Sequence, residues 1–343
     1  MSGSAPRAVT GPWTNLASRA LGAVVPAAND ESFGAKESLV VDSPAVLDPG
    51  RYHHAGEIVD GWETRRRRFE PGADWALVRL GAPGVIRSID VDTSHFTGNH
   101  PTHCVVEACA MPGHPDPADV LAHGRWRTVV ARAQLAGDCS NVFRVDDAAL
   151  ATHVRLTIEP DGGVARLRVL GDVVPDPDLL AGLTVDLIGR ALGGVVLDSS
   201  DDFYTGAEVL NSPETARTMG EGWETRRRRD GGHDWVLFRL GAAGRPLAVE
   251  VDTRCFVHNA SREVALWGRP PGAVGEASWM PLLPRTRLQP DTRHLFRLTY
   301  APEVAQVRLD AHPDGGLARL RLLGMITPTG EQALRDRWGA ASG

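Results

Sequence analysis

A long internal duplication constrains this chain more than any single motif. Gly61-Trp62-Glu63-Thr64-Arg65-Arg66-Arg67-Arg68 recurs without change as Gly222 to Arg229. Asp74-Trp75 returns as Asp234-Trp235, Arg79-Leu80-Gly81 as Arg239-Leu240-Gly241, and Val91-Asp92-Thr93 as Val251-Asp252-Thr253. Phe96 and Asn99 return as Phe256 and Asn259, and the run Asp161 to Gly171 returns as Asp314 to Gly324 with only Val/Leu exchanges. Leu16 to Gly22 likewise matches Leu187 to Gly193. The order never changes, while the spacing falls from 171 residues through 161 and 160 to 153. A period of this size is a duplicated domain, not a solenoid repeat. The expected domains are residues 15–172 and 182–325, joined by the Pro/Asp-rich connector around residues 172–178.

Composition removes several function classes. The formal charge is −6, so electrostatically driven nucleic-acid binding is not expected. No stretch of about 18 uncharged apolar residues is present, so a membrane span is not expected. Cys104, Cys109, Cys139 and Cys255 form no CxxC pair, which favours free thiols in a reducing compartment. With no apolar segment following the basic residue near the N-terminus, a cytoplasmic location is expected.

Within each copy the pattern is that of β-strands. Trp75 to Leu80 reads as a strand, Gly81-Ala82-Pro83-Gly84 as a turn, and Val85 to Thr93 as a second strand with period two. Val154 to Ile158 and Val164 to Val169 alternate about Asp161-Gly162-Gly163, which reads as a hairpin. Helical signal is confined to 178–192 and 330–338. The fold class is all-β, with short strands and regular turns suggesting a sandwich. No GxGxxG, Walker, GxSxG or HExxH motif is present.

The duplicated GWETRRRR, the DW–RLG and VDT–F–N elements and the DGG–ARLR–LG ending resemble the allantoicase family over nearly the whole chain. The resemblance implies two tandem galactose-binding-like jelly-roll β-sandwich domains. It implies hydrolysis of allantoate to ureidoglycolate and urea in purine (allantoin) catabolism, and a homo-oligomer such as a hexamer. The alternative is a tandem jelly-roll protein that binds a carbohydrate or small acid without catalysis.

Allantoate carries a carboxylate and two ureido groups on one carbon. Arginine suits the carboxylate through its planar fork. Arg65 and Arg67, which share a face if the segment is a strand, and Arg226 are the candidate clamp. The competing reading is an ion-pair network with acids such as Glu63, Asp60 and Asp74. Asn99 and Asn259 are candidates for holding a ureido group. An acid must protonate the departing nitrogen and a base must serve water. His95 and His100 are candidates because the second copy has Cys255 and Ala260 there, which marks one copy as specialised. Asp92 is a candidate orienting carboxylate or base, against a turn-capping role, and Glu63 is a candidate base, against a role as partner of the adjacent arginines. The matched tryptophans Trp62, Trp75, Trp223 and Trp235 read as core. His53-His54 with Asp60 and His95 lacks a diagnostic ligand spacing, so no cofactor is expected, a metal being the lesser alternative.

Overall fold

A computed structural model of the chain describes residues 11, 13–47, 50, 52–53, 56–57, 60–68 and 71–342. The chain divides between Val174 and Pro175 into two compact units. Each is a jelly-roll-like β-sandwich, and every strand pairing among the described residues is antiparallel. No helix is long and apolar enough to cross a membrane.

In the first unit the organising strand is Asp74–Asp92. Its first part pairs with Leu150–Glu159 and Val24–Ala28, and its second part with Arg166–Val173 and Ser140–Arg144. His103–Cys109 and Arg127–Gln134 extend the sheet beyond Leu150–Glu159. Ala76, Val78, Leu80, Ile89 and Val91 point into one buried core with Leu156, Ile158, Leu167 and Val169. The period-two alternation thus buries one strand face and leaves polar residues on the other.

The second unit repeats this plan. Asp234–Asp252 pairs with Val304–His312 and Val195–Ser199 through its first part, and with Arg319–Ile326 and Arg293–Arg297 through its second. Glu263–Arg269 and Met280–Arg287 complete the sheet.

Four local expectations are corrected. Gly81 to Gly84 is no turn, because Asp74–Asp92 stays extended and only shifts register there. The glycines answer close approach instead: a Cβ on Gly84 would stand 2.5 Å from the Asp172 carbonyl oxygen. The Asp-Gly-Gly segment closes no hairpin. The strands on either side of it pair with different parts of Asp74–Asp92, and Gly163–Val164 pairs instead with Trp62–Glu63. Residues 178–192 hold no α-helix; Thr184–Asp186 is a strand on Leu323–Met325, flanked by single 3₁₀ turns. The β-branched Thr184 and Val185 and the breakers Gly182 and Gly189 favour that outcome. Finally, Trp62 and Trp223 are fully buried, but Trp75 and Trp235 are half-exposed, with Trp75 on a satellite cluster of Leu77, Cys109 and Val120.

The helix expected at 330–338 is present as Pro328–Ser342. Thr327 Oγ1 caps it by accepting from Gly330 N at 3.3 Å, and Pro328 occupies the first position, where no N–H is needed. All four cysteines are free. Burial pushes the Cys104 thiol up to about 12 and the Cys109 thiol up to about 11.

Candidate functional site

The three repeated motifs converge in space. In the first unit Trp62–Glu63 pairs with Gly163–Val164, so Glu63 lies directly beside Gly163. Thr64 N donates to the Gly162 carbonyl, and Gly162 N donates back to Thr64 Oγ1, both at 3.1 Å. Gly163 N donates to the Asn99 carbonyl at 2.8 Å. The fully buried Phe96 ring fills the gap beneath them, and a Cβ on Gly163 would stand 2.0 Å from it. Asn99 Nδ2 then donates to Glu63 Oε1 at 2.8 Å. Burial raises the Glu63 carboxyl above the usual range, and the Asn99 hydrogen bond only partly offsets this.

The second unit builds the same pair. Glu224 pairs with Gly316, and Asn259 Nδ2 donates to Glu224 Oε1 at 2.7 Å. Here the pair opens on a cavity of about 650 Å³, lined also by Arg227, Arg229, His258 and Arg262. A carboxyl held by an amide and facing cations can bind a polar group and exchange a proton with it.

The arginine runs sort differently from the expectation. The chain leaves the strand after Glu63 and after Glu224, so strand parity does not govern the four arginines. Arg67 is bound to the buried Asp74 at 2.6 Å, and Arg228 to the buried Asp234 at 2.8 Å. Arg65 pairs with Asp30 at 3.2 Å, while Arg226 pairs with Asp201 at 3.7 Å and stacks on Phe203. Arg65, Arg67 and Arg226 therefore serve ion pairs, and of the three acids named from sequence only Asp74 takes part. Arg227, Arg229 and Arg262 make no side-chain hydrogen bond or ion pair among the described residues, and all three line the cavity. The sequence reading took Arg226 from that run in place of Arg227 and Arg229, and passed over Arg262. Comparing the copies a few residues further along would have found Arg262, which stands where the first unit has Thr102.

The histidines and Asp92 are not gathered at the Glu63–Asn99 pair. His95 sits at φ 71°, donating its N–H to Asp138 Oδ1 at 2.8 Å; Cys255 sits at φ 72° and donates likewise to Asp291 at 2.9 Å. This is a shared turn position, and His95 Nε2 lies 3.1 Å from the Ala45 carbonyl. Asp92 accepts from Ser94 N and Oγ at 2.8 and 2.6 Å, which is turn capping and not orientation of a histidine. Asp252 takes the same bond from Arg254 N at 2.9 Å and adds its guanidinium. His100 follows Asn99, but its ring packs on Gly137, and its buried Nδ1 finds no partner among the described residues. Of the metal candidates, His54 lies outside the described residues, and Asp60 is committed to Arg166 at 2.7 Å.

The family profile described as the allantoicase repeat matches residues 14–174 and again 185–327. The chain belongs to the allantoicase family. It is 47% identical over 337 residues to a probable allantoicase of Streptomyces coelicolor, covering 95% of this chain and 89% of that protein. It is 48% identical to a probable allantoicase of Nocardia farcinica, covering 94% and 97%. The crystal structure of Saccharomyces cerevisiae allantoicase superposes with a TM-score of 0.75 at 28% identity, covering 91% of this chain and 93% of that one. The tandem all-β expectation agrees with that likeness.

Proposed function

We infer that this chain is a hydrolase of carbon–nitrogen bonds that converts allantoate and water to ureidoglycolate and urea. Family membership supports the reaction, and the Glu–Asn pair, built identically in both units, supports the site. In the second-unit cavity, Arg227, Arg229 and Arg262 hold the substrate carboxylate, and Asn259 and Glu224 hold a ureido group. Glu224 acts as the acid and gives a proton to the departing ureido nitrogen as the C–N bond breaks. Water oxygen bonds to the same carbon, and its proton returns to the glutamate. Urea and ureidoglycolate leave with the acid restored. In the first unit, burial raises the carboxyl of Glu63, the counterpart of Glu224.

Two substitutions test the site. E63Q/E224Q keeps an acceptor for both asparagines but removes the proton. It should lower kcat at least about 100-fold, the size of a general-acid contribution. R262T installs the first unit's residue and should raise KM about tenfold or more with a smaller change in kcat, as for a charge-assisted contact to a carboxylate. Near-normal kcat in the double variant would reject the pair as the acid. The proposal extends to a cytoplasmic homo-oligomer, a hexamer by the family resemblance, which light scattering on the purified chain measures.

A further inference from the structure

The second unit carries a cluster that the proposed reaction does not use. Val307, Leu309 and Ala311 face the core, so Asp310 and His312 project together from the opposite face of their strand. His233 precedes Asp234, whose backbone pairs with Ala311, and this register sets the His233 and His312 rings 4.5 Å apart. One ligand-type atom from each of His233, Asp310 and His312 lies within 4.8 Å of the others, and His233 Nε2 is 3.5 Å from Asp310 Oδ1. Four-coordinate zinc-type ions with bonds of about 2.0–2.1 Å place their ligand atoms about 3.4 Å apart, so small rotations close this set.

Three observations separate this cluster from an ordinary surface group. The Asp310 side chain is only 6% exposed, and its Oδ1 accepts no hydrogen bond among the described residues. Its Oδ2 is fixed by Trp267 Nε1 at 2.7 Å, the outer-shell support that aims a ligating carboxylate. The equivalent positions in the first unit, read through the same register, are Ala73, Thr157 and Glu159, so the shared fold does not require the cluster.

Arg308 is the competitor, with Nε 3.0 Å from Asp310 Oδ1. It has another resting place: Glu276 at 3.5 Å, and the faces of Trp279 and Trp267 at 5.5 and 5.9 Å. A cavity of about 720 Å³, lined by His312, Glu263, Arg285 and Arg287, adjoins the cluster and gives a bound ion room for an exchangeable position.

We propose that His233, Asp310 and His312 bind one divalent ion of the zinc class, with an open coordination position toward that cavity. The two imidazoles and one carboxylate favour such an ion over magnesium or calcium, which prefer oxygen ligands.

Titrating tag-free, full-length chain with Co²⁺ provides the test. A visible ligand-field band should saturate at one Co²⁺ per chain and vanish on adding Zn²⁺. H233A and H312A should each weaken Co²⁺ binding at least about tenfold, since each removes one of three protein ligands. R308M removes the competing cation and should tighten it. His233 lies in a half-exposed segment, so H233A tests the site with the least risk to folding, and circular dichroism checks this. No band, or a band unchanged in H233A and H312A, would overturn the proposal.

Discussion

At the residue scale, burial and pairing decide which charged groups keep free chemistry. Arg67 and Arg228 share the repeated sequence with Arg227 and Arg229, yet the first two are bound to buried aspartates, while Arg227 and Arg229 line the second-unit cavity with no ion pair among the described residues. Sequence identity between the copies marked all of them equally, and only the chain's exit from the strand separated them. His153 shows a burial effect that no motif indicated. It is buried, with Nδ1 2.9 Å from Thr152 Oγ1, and burial followed by the Arg79 charge lowers its pKa to about 4. Between the ordinary histidine pKa of about 6.5 and about 4, the unfolded chain takes a proton that the folded chain refuses. This contribution is fully present above about pH 6.5 and is lost as pH falls toward 4, to a limit of about 3 kcal/mol. Urea denaturation at pH 4.5 and pH 7 should therefore show a smaller acid loss for H153L than for the parent. An equal loss in both would assign the acid sensitivity elsewhere.

At the element scale, the repeated motifs turn out to be one assembly. GWET supplies the glutamate, the Phe96–Asn99 loop supplies the amide, and Asp-Gly-Gly supplies the backbone that holds both. The fold class and the strands were legible because period two and turn residues are local signals. The role of Asp-Gly-Gly was not, because the partner of Gly163 lies far away in sequence and the segment resembles an ordinary hairpin turn. The same limit hid the His233–Asp310–His312 cluster, which only strand register creates. The assembly predicts a specific sensitivity. G163A drives a methyl into Phe96 and should cost about 2–3 kcal/mol by overpacking. A methyl added at Gly231 would meet nothing within 4 Å, so G231A should be close to neutral. Equal thermal stability of the two variants would contradict the packing account.

At the scale of the whole molecule, duplication explains both the clarity of the family signal and its ambiguity. Each unit keeps its sandwich, its buried tryptophan and its Glu–Asn pair, and the family profile matches each unit in turn. The copies differ at Arg262 against Thr102, at His100 against Ala260, and at the histidine cluster against Ala73, Thr157 and Glu159. Comparing copies is a search for such sites. It led first to His95, where the structure instead shows a turn common to both units. The most direct test of the central claim is a product analysis of purified chain incubated with allantoate. Urea and ureidoglycolate released in equal amounts, and lost together in E63Q/E224Q, are the expected result. A folded chain that releases no urea from allantoate would contradict it.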